Sequence, residues 1–459
     1  MADKPRNIIF LISDSLRFDS VYDIGVGMPY VQENSIEFLE ARAAGCWTLP
    51  ATASMFTGLM PHEHGATSQT RAIHLGIPTL AEKMKSAGYK TYQVTANVAT
   101  THIFGLNRGF DEVRRIWKLV DPKFNKLQQL IALVGKPRLR RKLISGDMLM
   151  QRMTEDLESA KTWLQFTYDD IFNECRKIIK ENEAKGESSF IFLNLMETHF
   201  PYHLAPTFQL STDGIIKKVR EVISMFHYAN QTFLKKKGTH IKPDMMEVLK
   251  NRQKTAWKSL APNIDNFCRE MHEDQGNLVV FGSDHGENFG EHGWIYHFSN
   301  ITDAGNKVPM FWLPANGETP RKEHSIVSTR HIFNSFLHEV GLPTEGPSMV
   351  HHPEGSKSIM QSYWYNNRNK TLEKYKFNQI CFLFNDNRYL MRNNVWYEAP
   401  FKTGYDEPDF KQLPADANPL YDLTIDAKDK QDYLKIMGDF KEFSSKITFE
   451  NRPHVEIKA

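Results

Sequence analysis

Four stretches of the chain gather residue types that bind cations, move protons or attack esters. NIIFLISDS carries Asp14, NLVVFGSDHGE carries Asp284 and His285, and SSFIFLNLMETHF carries His199, with His203 shortly beyond it. The fourth, GCWTLPATASMFTGLMPHEHG at residues 45–65, sets the hydroxyls of Thr48, Thr52, Ser54 and Thr57 between two glycines. Aspartate carboxylates and an imidazole are hard or borderline ligands suited to a divalent cation. An adjacent Asp-His pair followed by Gly286 can turn both side chains to one ion. A threonine or serine hydroxyl is a poor nucleophile alone. Beside such an ion its pKa falls, and the charge developing on an ester oxygen is neutralised. Taken singly, Asp14 or Asp284 reads more readily as a helix cap, and His285 as a satisfied polar residue. Their joint placement favours metal-assisted ester chemistry, but spacing alone does not choose among the hydroxyls.

The elements that must position these groups can be read from periodicity. Asn7 to Ile12 is a continuous apolar, β-branched-rich run, the pattern of a strand buried on both faces. Phe190–Leu195 and the run NLVVFG repeat it. In a largely parallel sheet the carboxyl ends of such strands converge on one edge, where ligand groups collect. PTLAEKMKSAGYKTYQVTAN reads as helix, glycine stop, strand, with Pro78 in the first turn, Gly88 at the cap and Tyr92–Thr95 as the strand. A helix is expected to begin near Pro50 or Ala51. Two mostly helical insertions are expected near 117–185 and 205–270. From about Lys376 short alternating runs with turn residues predict a small antiparallel sheet and a closing helix. The predicted architecture is α/β: a large, mostly parallel sheet sandwiched by helices over 1–355, then a C-terminal α+β subdomain over 356–459.

Bulk composition excludes several classes. Lys+Arg 57 against Asp+Glu 55 leaves a formal charge of +2, which is no nucleic-acid footprint. Four cysteines without CxxC pairing exclude a zinc ribbon or disulfide framework. The N-terminal apolar run of about five residues is far short of a signal sequence or of the ~20 residues that span a bilayer. A soluble, cytoplasmic protein with no integral membrane segment is expected, and its oligomeric state is not readable.

The motifs NIIFLISDSLRFDS, TLPATASMFTGLMPHEHG, NRGFDEV, GSDHGENFGEHGWIYH and NPLYDL occur in an order that resembles the sulfatase family of the alkaline phosphatase superfamily. The resemblance implies a divalent metal at a sheet edge and a covalent nucleophile at the start of a helix. Sulfatases carry Cys-x-Pro-x-Arg, whose cysteine becomes formylglycine. Aligning Pro50 with that proline puts Thr48 at the cysteine position and Thr52 at the arginine position. Cys46 lies two residues too early. Thr48 is thus the implied nucleophile, and a threonine there resembles the phosphatase, phosphodiesterase and phosphotransferase branches more than the sulfate-ester branch.

By the same matching, Asp14, Asp284, His285 and Thr48 are the implied metal ligands. Ser15 stands where many sulfatases have a second aspartate, and His285 where asparagine is common. That shift favours manganese, zinc or magnesium, with calcium less favoured. His199 matches the histidine that contacts the transferred group, with His203 as a possible partner. His297 stands near a leaving-group lysine position, and His292 is a weaker choice. Asn97 and His102 fall where sulfatases contact the sulfate. His62 and His64 belong to a structural PHxHG turn. A full second metal site is not expected, because the His199-x-x-x-His203 run lacks the aspartate of the two-zinc branch. The implied substrate is a small-molecule, saccharide or lipid-headgroup ester. Rival readings are a sulfatase with a non-formylglycine site and a catalytically silent metal-binding protein of this fold.

Overall fold

The architecture was analysed in a computed structural model that describes residues 4–67, 70–120, 159, 162, 166–200, 202, 243–273, 276–291, 295–297, 301–315, 318–351, 358–363, 378–384, 386–392, 394–401, 409–421 and 427–446. Its main sheet has eight strands. In chain order they are β1 (Ile8–Ser13), β2 (Ile36–Phe38), β3 (Lys90–Thr95), β4 (Glu112–Arg115), β5 (Ser189–Leu195), β6 (Leu278–Gly282), β7 (Met310–Leu313) and β8 (Arg321–Glu323). Their order across the sheet is β8-β2-β7-β6-β1-β5-β3-β4. Every pairing is parallel except those of β7, which runs antiparallel to both neighbours.

All six residues of β1 are buried. Ile8, Phe10 and Ile12 pack into one core layer, Ile9 and Leu11 into the other. The strand therefore feeds two hydrophobic layers through its period of two, and each large apolar side chain removed from water contributes about 2 kcal/mol. One layer is closed by helices α1 (Thr48–Thr57) and α4 (Ile332–Glu339). The other is closed by α2 (Tyr168–Glu183) and α3 (Pro243–Glu273). The expected sandwich is the observed one.

Helix α1 begins at Thr48, two residues before the predicted Pro50. Proline is tolerated there because the first helical N–H groups have no intrahelical partner to lose. A Cβ on Gly45 would sit 2.7 Å from the Ala51 nitrogen, so the chain needs glycine to fold this tightly onto the helix start. Gly58, with φ 75°, ends the helix by donating its N–H to Ser54 O at 2.9 Å.

Beyond the main sheet, β9 (Ser358–Tyr363), β10 (Asn378–Phe384), β11 (Asn387–Arg392), β12 (Val395–Pro400) and β13 (Lys411–Gln412) form an antiparallel sheet in sequential order. Helix α5 (Ala427–Lys446) covers it, and Tyr433, Ile436 and Phe440 cluster with Ile380, Phe382, Trp396 and, from the main body, Ala44 and Met60. Much of the two expected helical insertions, including the basic run GKPRLRRKL, lies outside the described residues, as do His203 and His292. Among the described residues no helix is long and apolar enough to cross a membrane.

Candidate active site and metal centre

The parallel register brings four strand ends to one edge. Ile12 pairs with Asn194 on one side and Gly282 on the other, and Asn194 also pairs with Thr95. The residues just beyond these pairs are Asp14 after β1, Asn97 after β3, His199 after β5, and Asp284 and His285 after β6. Side-chain oxygens of Asp14 and Asp284 and a ring nitrogen of His285 lie within 4.8 Å of one another, and all three residues are fully buried.

Thr48, the first residue of α1, points its hydroxyl into this group. Its Oγ1 donates to Asp14 Oδ2 at 3.3 Å and lies 3.3 Å from His285 Nε2. The other ring nitrogen of His285, Nδ1, faces Gly286 O at 2.8 Å. A proton on Nδ1 satisfies that carbonyl and leaves the Nε2 lone pair turned toward Thr48, Asp14 (3.7 Å) and Asp284 (3.4 Å). A Cβ on Gly286 would meet Ala304 O at 2.1 Å, so only glycine permits this close passage.

Two buried carboxylates in contact are electrostatically costly. Burial pushes the Asp14 carboxyl up, yet the imidazoles of His199, His285 and His297 bring it below its ordinary range. Burial and then the Asp14 charge push Asp284 well above it. Asp284 Oδ2 is buried with no hydrogen-bond partner among the described residues. An orphaned oxygen beside a second carboxylate and an imidazole lone pair is the donor set a divalent cation satisfies, so the residues fit the metal that the sequence implies. Asp284 Oδ1 is satisfied by the N–H of Ser15 at 3.1 Å and of His285 at 3.0 Å. Ser15 holds φ 61°, a conformation that costs a non-glycine residue free energy, and that twist aims its N–H at Asp284.

A second rank of side chains faces the cluster. The rings of His199 and His297 are 5.1 Å apart, and those of His285 and His297 4.7 Å apart. His199 Nδ1 lies 2.8 Å from Phe200 O, which leaves Nε2 as its available nitrogen. Asn97 donates from Nδ2 to Asp14 Oδ2 at 2.6 Å. His102 is exposed at the start of the short turn His102–Phe104, while Asn97 is the residue that reaches Asp14. His64 is enclosed with Nε2 3.0 Å from Ser54 Oγ, and burial pushes its pKa down to about 3. That fits the structural turn expected of it.

Several residues important to this geometry carry no chemistry readable from sequence spacing. Glu287 is fully buried, accepts from Tyr202 Oη at 3.0 Å and lies 3.2 Å from His297 Nδ1. Burial pushes it up to about 7, against the pull of His199 and His285. Gln253 on α3 donates to Ser15 O at 2.8 Å and Thr198 O at 2.9 Å, tying the ends of β1 and β5 together. Arg17 is fully buried between Asp19 and Glu291 and donates to Glu287 O at 2.9 Å. The only sequence signal for them is that Glu287 and Glu291 belong to the GENFGEHG run.

Comparison with known proteins places this arrangement. The family model described as Sulfatase matches residues 6–342. The phosphonate monoester hydrolase SpPMH from Silicibacter pomeroyi shares 15% identity, with 94% of this chain and 95% of that chain covered and a TM-score of 0.59. A protein in the alkaline phosphatase superfamily from Vibrio parahaemolyticus shares 14%, with 96% and 88% covered and a TM-score of 0.58. BT4656, solved in complex with its substrate D-glucosamine-2-N,6-O-disulfate, shares 14%, with 98% and 100% covered and a TM-score of 0.54. No curated protein matches. These likenesses are too distant in sequence to carry substrates across, but the fold and the family model agree. The chain belongs to the sulfatase family, a family of hydrolases.

Proposed function

We propose that this sulfatase-family hydrolase acts on phosphoric or phosphonic esters through a covalent intermediate on Thr48. The observation that carries the reading is the Thr48 hydroxyl, at the start of α1, between Asp14 Oδ2 and His285 Nε2. It stands where sulfatases have the cysteine that becomes formylglycine, and a threonine cannot form that aldehyde by the same route.

Asp14, Thr48, Asp284 and His285 would hold a manganese, zinc or magnesium ion, with calcium less suited to an imidazole ligand. Such an ion would lower the pKa of the hydroxyl and offset charge on the ester oxygens. Asp14 accepts the Thr48 hydroxyl hydrogen and orients the oxygen for attack. A bond forms from Thr48 Oγ1 to phosphorus as the bond to the ester oxygen breaks. His297, held from behind by Glu287, supplies the proton that the leaving oxygen needs, and His199 faces the transferred group. The N-terminus of α1 adds partial positive charge beneath the anionic substrate. Water then releases the group from Thr48. Asn97 fixes Asp14, and His102 and His203 are assigned to substrate contact. The substrate class is a small-molecule, saccharide or lipid-headgroup ester, and four buried cysteines that form no disulfide support a reducing, cytoplasmic setting.

Assays on p-nitrophenyl phosphate, bis-p-nitrophenyl phosphate, a phosphonate monoester and p-nitrophenyl sulfate, with Mn²⁺ or Zn²⁺, test the reading. Turnover of a phosphorus ester that disappears in Thr48→Ala supports it. Sulfate turnover that survives Thr48→Ala removes Thr48 as nucleophile and restores a sulfate-ester enzyme.

A further inference from the structure

A second group of metal-capable side chains lies away from the site above. His338 and Glu339 end helix α4, and His351 follows the turn that returns from it; one ligand atom from each lies within 4.8 Å of the others. The antiparallel β7 ends at Leu313, which pairs with Val279 near the start of β6. Glu318, in the connection that follows, therefore belongs to the sheet edge opposite Asp14. We propose that His338, Glu339 and His351 bind a second divalent ion of the zinc class, with Glu318 orienting His351.

The two nitrogens of His351 have different partners. Nδ1 lies 3.3 Å from Glu318 Oε1, and Nε2 lies 3.3 Å from Glu339 Oε1. Nε2 is buried and makes no hydrogen bond among the described residues, so its contact with Glu339 is a close approach without hydrogen-bond geometry. With zinc–ligand bonds of about 2.1 Å, a tetrahedral edge is about 3.4 Å, which is the Nε2-to-Glu339 spacing. The Nδ1–Glu318 contact is the carboxylate–histidine relay that fixes tautomer and ring orientation behind a ligating nitrogen. The His338 ring packs against the His351 ring, 3.6 Å centroid to centroid with 31° between planes, so this exposed side chain would have to turn about its own torsions to supply the second imidazole. Two imidazoles and one carboxylate favour zinc over calcium or magnesium.

The framework is rigid. Ser335 on α4 bonds Ser348 Oγ at 2.9 Å and accepts from the Met349 N–H at 3.0 Å, while Ser348 Oγ accepts from the His351 N–H at 3.2 Å. Asn334 donates to Glu345 O and Pro347 O, both at 2.9 Å. The turn is thus fastened to α4 through several hydrogen bonds before any ion binds, which limits the ordering cost of binding. Its distance from the reacting groups makes the role structural: the ion would clamp the end of α4 to the 348–351 turn.

The test is metal stoichiometry, read independently of turnover. Chelator-stripped protein is loaded with Zn²⁺ or Co²⁺, desalted, and its metal measured beside His338→Gln, Asp284→Asn and the double variant. His338→Gln should hold one equivalent less than the unmodified protein. Asp284→Asn should keep the equivalent that the double variant loses, so failure of this site and of the Thr48 site are separable. Glu318→Gln should weaken binding by roughly tenfold to a hundredfold. His338 is exposed, so its replacement leaves the core intact, and a cooperative melt checks this. Zinc content unchanged by His338→Gln, or an Asp284→Asn protein holding none, would overturn the site and leave His351 as a structural contact between two carboxylates.

Discussion

The two histidine–carboxylate clusters of this fold sit at opposite edges of one sheet and differ in how they are built. Asp14, Asp284 and His285 come from the ends of two adjacent parallel strands far apart in sequence and are fully buried. His338, Glu339 and His351 come from a helix end and the turn beside it, and His338 is exposed. At the first, low dielectric makes two neighbouring carboxylates costly, and their pKa directions diverge as a result. At the second, the Glu339 and His351 side chains are also largely covered, and a hydrogen-bonded turn holds them beside the exposed His338. The two clusters use similar ligand types at different depths in the fold.

That contrast can be broken or sharpened by substitution. Thr48→Ala should lose roughly 10³-fold or more in kcat/KM on the preferred ester while metal analysis still finds the buried ion. A loss of only a few fold would mean the hydroxyl is a bystander. His297→Ala should cost about 10²–10⁴ in kcat, and least on esters with good leaving groups, since a proton donor matters less there. A penalty independent of the leaving group would reassign His297 to binding. Glu287→Gln keeps the shape but removes the charge behind His297; a kcat loss of about tenfold with unchanged metal content is expected. His338→Gln should leave kcat/KM within about twofold, yet lose the thermal stabilisation by zinc, about 2.7 kcal/mol at a hundredfold excess over Kd. If turnover fell with it, the two edges would be coupled and the contrast would fail.

The strand-end residues were legible beforehand because an apolar run that stops at Asp or Asp-His has one physical reading in a parallel sheet. Asp14, Asp284 and His285 were found in this way. The start of α1 was misplaced by two residues because proline looked like a boundary, whereas the first helical turn loses nothing by including it. Glu287 could not have been read as the partner of His297. The pairing of Asn288 with Tyr296 doubles the chain back and returns His297 to Glu287, and that short ladder leaves little periodic signature.

By itself, the sequence determined the class of elements, the apolar layers that fix a mostly parallel sheet, and the identity of the polar groups that gather at one of its edges. Those are local properties: periodicity, composition and motif order. The tertiary structure alone decided which nitrogen of His285 faces Thr48, that Asn97 rather than His102 reaches Asp14, and that Glu318 and His351 meet from segments with no shared motif. Register and packing set those distances. A change of one residue in register would turn every side chain of a strand to the other face, so contacts between distant segments exist only once the whole sheet has formed.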